Sequence, residues 1–453
     1  MSCFRAAASG RRPWSLRRLI LVLLTAGVVI AGPAVQAGTV ADSLELPAAA
    51  GLPELIAHAE AHNPALAAAR HRWRAAAARV PQADALPEPQ LGLGLVFDQV
   101  DADSEYMGER YSVSQALPWF GKRGLRADVA ASAADAEEQR YQALRLALGE
   151  RVTAAWFDYA WTRQAVATAR ENRDLLARLE GVARAMYRSG AGNQADVTRA
   201  QVELGRLDDR LRSLLDALGP AAARLNALLG RPAHARLPEA PAPAAHAMPA
   251  LPERSDEAWL EAAQAANPEL GAAQREIERE THAVALARKD YYPDIRLGLE
   301  YGRNSAGRLA AIDGGGTDML VGMISVNLPI RQRRYDAALS EAEARLQAAG
   351  RDARTRELAL EAELKAALFD YRDGARKLQL YGGTLVPRAR HALEATEAAY
   401  RAGKVGFMEL IDSQRTLLEF ELARERAAAD QAAAAARVGA LAGEPPYPIA
   451  RED

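Results

Sequence analysis

The sequence predicts a mainly helical chain with a transmembrane β part, and three observations lead there. First, residues 187–201 (YRSGAGNQADVTRAQ) return as residues 400–414 (YRAGKVGFMELIDSQ). Tyr187, Arg188, Gly190, Gly192, Asp196 and Gln201 recur as Tyr400, Arg401, Gly403, Gly406 (one place displaced), Glu409 and Gln414. In both copies a long Ala/Leu/Arg/Glu pattern stops at an aromatic-x-x-Gly break and a second opens behind an acidic residue, so each copy reads as the tip of a helical hairpin. Second, four short runs alternate with period two, the mark of strands. Third, no stretch after residue 38 holds 18 consecutive apolar residues, so any membrane span has to be built from strands.

The chain opens on Arg11, Arg12, Arg17 and Arg18, then the apolar run Leu19–Ile30, Pro33 and the small-residue site Val35-Gln36-Ala37. This predicts a secretory signal over residues 1–37, cut after Ala37; the Arg pair hints at the twin-arginine route, but the ordinary one fits better. The only cysteine, Cys3, lies inside it, so the mature chain has neither a disulfide nor a thiol ligand for metal, and no lipid-bearing cysteine follows the cut.

The first half is predicted over 38–230. A helical pattern covers 53–80 with a kink or restart at Asn63-Pro64. The run PEPQLGLGLVFDQ sets Leu91, Leu93, Leu95 and Phe97 against Gly92, Gly94 and Val96. With the alternation that ends at Pro118 it predicts a hairpin of strands at 90–98 and 110–118 around an acidic turn. Helices follow over 122–189, free of proline, and 194–230; the first would be about 100 Å long. Residues 231–254 contain six prolines and join the halves as an irregular linker.

The second half, 255–443, repeats the order. Asn267-Pro268 matches Asn63-Pro64, and Pro293, Leu297, Gly298 and Leu299 match Pro87, Leu91, Gly92 and Leu93. Ser325 and Leu328-Pro329 match Ser114 and Leu117-Pro118. Strands are expected at 294–302 and 319–328, and helices at 331–402, with Gly382-Gly383 and Pro387 as weak points, and 407–442. The tail 444–453 reads as disordered.

With 57 Lys+Arg against 59 Asp+Glu the net charge is −2, which excludes the basic field that nucleic-acid binding requires. Four strands of lipid length cannot close, and an open sheet in lipid leaves unpaired backbone groups at several kcal/mol each. Three copies would supply twelve strands, an even number in the range of known barrels. The fold class predicted is therefore a duplicated pair of long helical hairpins forming a trimeric α-barrel, plus four strands per chain contributing to a twelve-stranded trimeric β-barrel.

The paired hairpins, LGLGL after Pro87, SQALPWFGKRG at 114–124 and the two Tyr-Arg-x-Gly tips resemble the TolC-like outer-membrane factor family. The resemblance covers nearly all of residues 50–443 and implies a trimeric exit duct, its β-barrel in outer-membrane lipid and its helical tunnel in the periplasm. A periplasmic adapter and an inner-membrane pump are the implied partners. PWFGKR before an Arg-rich helix start is most similar to the branch serving heavy-metal pumps of the resistance-nodulation-division class; some of that branch carry an N-terminal lipidated cysteine, and this chain departs from them.

The resemblance also picks out site residues. Glu409 and Asp412 share a helix face and match the family's acidic pair at the periplasmic entrance, where a trimer would ring six carboxylates around the axis. The bland reading is a solvated acidic helix start. Asp196 stands where Glu409 stands in the other copy and Arg199 where Asp412 does, so Arg199 is expected to bridge to Asp412 or Glu409 across the closed entrance. Tyr187, Arg188, Gly190, Gly192, Tyr400, Arg401, Gly403 and Gly406 form the tips where an adapter would dock, with glycine supplying positive φ; as plain helix caps they need no partner. His58 and His62 lie i, i+4 without a third ligand near them in sequence and read as a surface pair; Met319 and Met323 read as strand packing.

No cofactor is expected and catalysis is excluded on motifs. Gly190-x-Gly192-x-x-Ala195 has no strand before it, Gly121-Lys122 lacks the rest of a phosphate loop, and neither G-x-S-x-G nor H-E-x-x-H occurs. Two competing readings stay open: a channel for drugs or for type I protein secretion, and a periplasmic coiled-coil scaffold that never enters lipid and would leave the strands without a use.

Overall fold

A computed structural model describes residues 46–47, 50–99, 105–243, 251–305 and 318–445. The expected signal segment with Cys3, and all but the first two residues of the tail, lie outside the described residues.

The first half runs α1 (Leu52–His62), α2 (Pro64–Ala77), α3 (Arg79–Asp84), β1 (Gln90–Gln99), β2 (Glu105–Leu117), α4 (Lys122–Arg188) and α5 (Gln194–Leu228). The second runs α6 (Asp256–Ala266), α7 (Pro268–Lys289), β3 (Ile295–Ser305), β4 (Met319–Val326), α8 (Gln332–Leu380), a π-helical turn (Tyr381–Leu385), α9 (Val386–Arg401) and α10 (Phe407–Leu441). No described helix is long and apolar enough to cross a membrane.

Several boundaries differ from the sequence reading. The pattern over 53–80 restarts at Asn63 as expected, where the backbone leaves the helical region (ψ 120°) and Asn63 Oδ1 accepts from the amides of Ala65 and Leu66, but a second break at Ala78 makes it three helices reaching to Asp84. The helix expected over 331–402 is interrupted by the π turn at its expected weak points: Pro387 has no N–H for its i−4 carbonyl, and the Val386 amide reaches back five residues to Tyr381. The strand β2 starts at Glu105, five residues before the expected 110, and β4 stops at Val326, short of Pro329.

The duplication extends to individual hydrogen bonds. Asn63 Nδ2 donates to the Leu228 carbonyl at 2.8 Å, and Asn267 Nδ2 to the Leu441 carbonyl at 2.9 Å, each tying a short helix to the end of its half's last helix. Beside these bonds Gly230 (φ 71°) and Gly443 (φ 75°) end α5 and α10. A Cβ on either would sit 2.5 Å from the His62 carbonyl oxygen or 2.4 Å from that of Ala266, so only glycine fits.

The strands form one antiparallel sheet in the order β1-β2-β3-β4. Its register puts Leu91 and Leu93 beside Val113 and Tyr111, these beside Leu299 and Tyr301, and Tyr301 beside Leu320. All are exposed in the single chain, Leu93 by 73% and Ile324 by 74%. The opposite face carries Gln90, Gly92, Arg110, Ser112, Ser114, Arg296, Gly298 and Glu300, with Arg296 Nη1 donating to Gln90 Oε1 at 2.6 Å and Arg110 3.6 Å from Glu300. Met319 and Met323 fall on this second face. One apolar face and one of polar and small residues is the pattern of a strand between lipid and water.

Candidate functional site at the hairpin tips

The first tip is built by a Schellman stop. Gly190 adopts φ 76°, and the Ala191 amide donates to the Met186 carbonyl at 2.9 Å. The second copies it: Gly403 has φ 71°, and the Lys404 amide donates to the Ala399 carbonyl at 2.9 Å. The other two tip glycines do not supply positive φ, which corrects the sequence reading. At Gly192 an added Cβ would lie 3.1 Å from Met186 Cβ, so close packing is what requires glycine. Gly406 has φ −81° and ψ 159° and is the N-cap of α10.

The two tyrosines part company. Tyr187 is 46% exposed, whereas Tyr400 is 3% exposed and packs edge-to-face on Phe407 at 5.4 Å. Burial and the nearby Asp196 carboxylate push the Tyr400 phenol up from its ordinary value. Arg188 is exposed, and Arg401 pairs with Glu397 one turn back at 2.5 Å.

Of the four expected gate residues, Glu409 and Asp412 stand together, exposed on the first turns of α10, while Phe407, Leu410, Ile411 and Gln414 of that helix are buried. Asp196 does not share their exposure. It is buried and lies 3.6 Å from Arg199 on its own helix, while Asp412 lies 3.5 Å from Arg415. Within the chain Arg199 therefore does not bridge to Asp412 or Glu409: Arg199 pairs with Asp196 and Asp412 with Arg415, each three residues away on its own helix.

The link between the hairpins is made by a pair the sequence reading missed. Arg415 of α10 donates from Nε to Glu203 Oε1 of α5 at 2.9 Å, and from Nη2 to Oε2. This fork holds the Glu203 carboxyl below its ordinary range and the guanidinium above its own. Just inward, Gln414 Nε2 donates to Asn172 Oδ1 of α4 at 3.0 Å in a buried contact. The signal was present as a break in the repeat: counting from the shared glutamines, Val202 and Glu203 face Arg415 and Thr416, so the copies diverge where they touch.

His58 and His62 stack with ring centroids 4.2 Å apart, and His62 Nδ1–H donates to the His58 carbonyl at 3.0 Å. Among the described residues no three His, Cys, Asp or Glu side chains gather as metal ligands.

Duplicated hairpins with glycine-stopped tips, carrying a sheet apolar on one face and polar on the other, define a class of outer-membrane channel proteins. The model for outer membrane efflux proteins matches residues 55–231 and 259–444, one span per half. The chain belongs to this family of TolC-like outer-membrane factors, and its place is the cell outer membrane. It is 25% identical over 66% of its length to the cobalt-zinc-cadmium resistance protein CzcC of Cupriavidus metallidurans, covering 68% of that protein. It is 27% identical over 80% of its length to the pyoverdine export outer membrane protein OpmQ of Pseudomonas putida, covering 79% of it. The crystal structure of CusC shares the fold with a TM-score of 0.75 at 18% identity, over 87% of this chain and 92% of that one.

Proposed function

We propose that three copies of the chain close into a passive exit duct, shut at rest, that receives heavy-metal cations from an inner-membrane pump of the resistance-nodulation-division class through a periplasmic adapter. The observation that carries the trimer is the open sheet: β1 and β4 end it with unpaired backbone edges, and its apolar face suits lipid only if those edges are sealed. The helices support the same closure. Inside the chain α10 packs on α4, but α5, the counterpart of α10, packs mainly on its own partner α4 and exposes Val202, while α8 exposes Leu358, Phe369 and Leu380. These are the surfaces a neighbouring copy would cover. The adapter is assigned to the tips, where Tyr187, Arg188 and the stops at Gly190 and Gly403 stand free of other elements.

The metal client is supported by the exposed pair Glu409 and Asp412, two carboxylates per copy at the entrance, which would draw cations and repel anions. Resemblance to the cobalt-zinc-cadmium resistance protein points the same way. The likeness to a pyoverdine exporter favours a second reading, the same duct with an organic client.

Deleting the gene tests the client. Tolerance to cobalt, zinc and cadmium is expected to fall and to return with the wild-type gene; unchanged metal tolerance with altered siderophore or drug tolerance selects the second reading. In planar bilayers, replacing Glu409 and Asp412 together by Ala is expected to lower cation preference. An unaltered reversal potential in a salt gradient removes both from the pore.

A further inference from the structure

The chain contains its own template for the contact between copies. Its halves meet where β2 pairs with β3, with Val113 opposite Leu299 and Ser114 opposite Gly298. Leu91-Gly92-Leu93 of β1 recur as Leu297-Gly298-Leu299 of β3, and Ser114 with Leu117-Pro118 recur as Ser325 with Leu328-Pro329. β4 and β1 are thus the repeat counterparts of β2 and β3, and they are the two edges of the sheet.

In the trimer proposed above β4 of one copy meets β1 of the next; we propose that this seam takes the register Ile324 opposite Leu93, Ser325 opposite Gly92 and Val326 opposite Leu91, and that Arg333 and Glu88 clamp its base. The assignment rests on the trimeric channel reading and gives its interface a register and an ion pair. It follows from replacing each residue of the β2–β3 joint by its counterpart in the other half.

Two independent features agree with it. The faces match: Ile324 and Val326 lie on the apolar face with Leu93 and Leu91, while Ser325 and Gly92 lie on the polar one. A slip of one residue would bring leucine opposite serine and send every side chain to the wrong medium.

The second feature is charge. At the base of the internal joint Lys122 is buried, and its Nζ donates to Asp294 Oδ1 and to the Tyr292 carbonyl, each at 2.9 Å. Counting from the paired prolines, the counterpart of Lys122 is Arg333 and that of Asp294 is Glu88. Both signs of charge survive the duplication, yet in the single chain Arg333 and Glu88 are exposed and neither makes a salt bridge within the described residues. A second copy in the stated register brings them together.

Disulfide trapping tests the register in full-length chain carrying Cys3→Ser, which leaves no other cysteine. Oxidised Leu93→Cys/Ile324→Cys protein is expected to shift on a denaturing gel to covalent species of two and three chains. Val113→Cys/Leu299→Cys, across the internal joint, should cross-link without a change in chain number, and the slipped pair Leu93→Cys/Val326→Cys should stay largely single. A slipped pair that links as well as the matched one, in protein that still sediments as a trimer, overturns the register and leaves the channel reading standing. Sedimentation of the unmodified protein as a single chain in detergent overturns both. For the clamp, Glu88→Arg and Arg333→Glu are each expected to lower the fraction of trimer that survives heating in detergent, and the two together to restore it; failure to restore removes the ion pair from the seam.

Discussion

The two halves share a backbone plan and differ in what their side chains reach for. The shared glutamine shows this most directly. Gln201 turns inward to Glu180 of its own hairpin at 3.4 Å, whereas Gln414 crosses to Asn172 of the other hairpin at 3.0 Å. The second hairpin is thus fastened to the first, while the first presents the matching face to the outside. Duplication has kept what each half needs to fold and changed what decides which surface is internal to the chain.

The largest expected effects lie in the two matched cores flanking the junction of short and long helices. One contains Leu55, Ala59, Val152, Ala155, Trp156, Leu225 and Leu229; the other contains Trp259, Ala263, Leu364, Ala367, Leu368, Val438 and Ala442. Position by position, the bulk has traded places. Leu55 with Trp156 in the first core answers Trp259 with Leu368 in the second, so a similar volume is filled from opposite helices. Trp156→Ala or Trp259→Ala is expected to cost about 3–5 kcal/mol in denaturant unfolding. Adding Leu55→Trp to Trp156→Leu rebuilds the second core's arrangement in the first, and the double variant is expected to lose less than the sum of the singles. Simple additivity would mean that the two positions do not share a volume.

The next effect, smaller, concerns the tie that only one pairing of the tips makes. Arg415→Met leaves Glu203, whose side chain is 14% exposed, without its fork. Because the Arg415 side chain is 36% exposed, solvent screening holds the expected loss to about 1–2 kcal/mol. The readout is local: amide exchange at the start of α10 should quicken, and single-channel conductance should rise. The pH dependence has a definite sign. Glu203 is held below its ordinary value by the Arg415 hydrogen bonds, so its contribution is complete above the unfolded carboxylate range near about 4.3 and is lost as pH falls through the lower, folded value. Glu203→Gln should remove that acid-side change in conductance; an acid response that persists in this variant places the titrating group elsewhere.

These two sites divide what could be read in the sequence from what could not. The helix stops at Gly190 and Gly403, the alternation around Leu91 and Leu297 and the Asn-Pro starts at Asn63 and Asn267 depend on neighbours within a turn or a strand, so local pattern reveals them. Glu203 and Arg415 stand 212 residues apart, and no local pattern makes one the partner of the other. The exchange of bulk between Trp156 and Trp259 is equally silent, since each half shows a good apolar helix on its own. Asp196 misled because its alignment with Glu409 carries over position but not burial: Glu409 is exposed, while Asp196 sits close to Tyr400, against which the first tip is packed.

The smallest effect sharpens the comparison of the tips themselves. Letter matching set Gly192 against Gly406 with a displacement of one, but the spacing fixed by Gly190 and Gly403 makes Asn193 the true counterpart of Gly406. The structure agrees, since both are N-caps, Asn193 at φ −117° and ψ 158° and Gly406 at φ −81° and ψ 159°. Asn193 Oδ1 accepts from the Asp196 amide at 2.9 Å, whereas the Glu409 amide, with no side chain at Gly406 to accept from it, donates to the Gly406 carbonyl at 3.2 Å. No atom lies within 4 Å of the position a Cβ would take on Gly406, so Gly406→Asn is sterically free and offers the Glu409 amide a side-chain acceptor in place of the 3.2 Å carbonyl contact. Glycine is itself a fair N-cap, which limits the expected gain to a few tenths of a kcal/mol, read as slower amide exchange at Glu409 with conductance unchanged. The reverse transplant, Asn193→Gly, should lose the same small amount at Asp196. Gly406→Asn that quickens exchange or alters conductance would mean that a neighbouring copy occupies the space beside this cap, and that the second tip keeps glycine for the sake of the assembly.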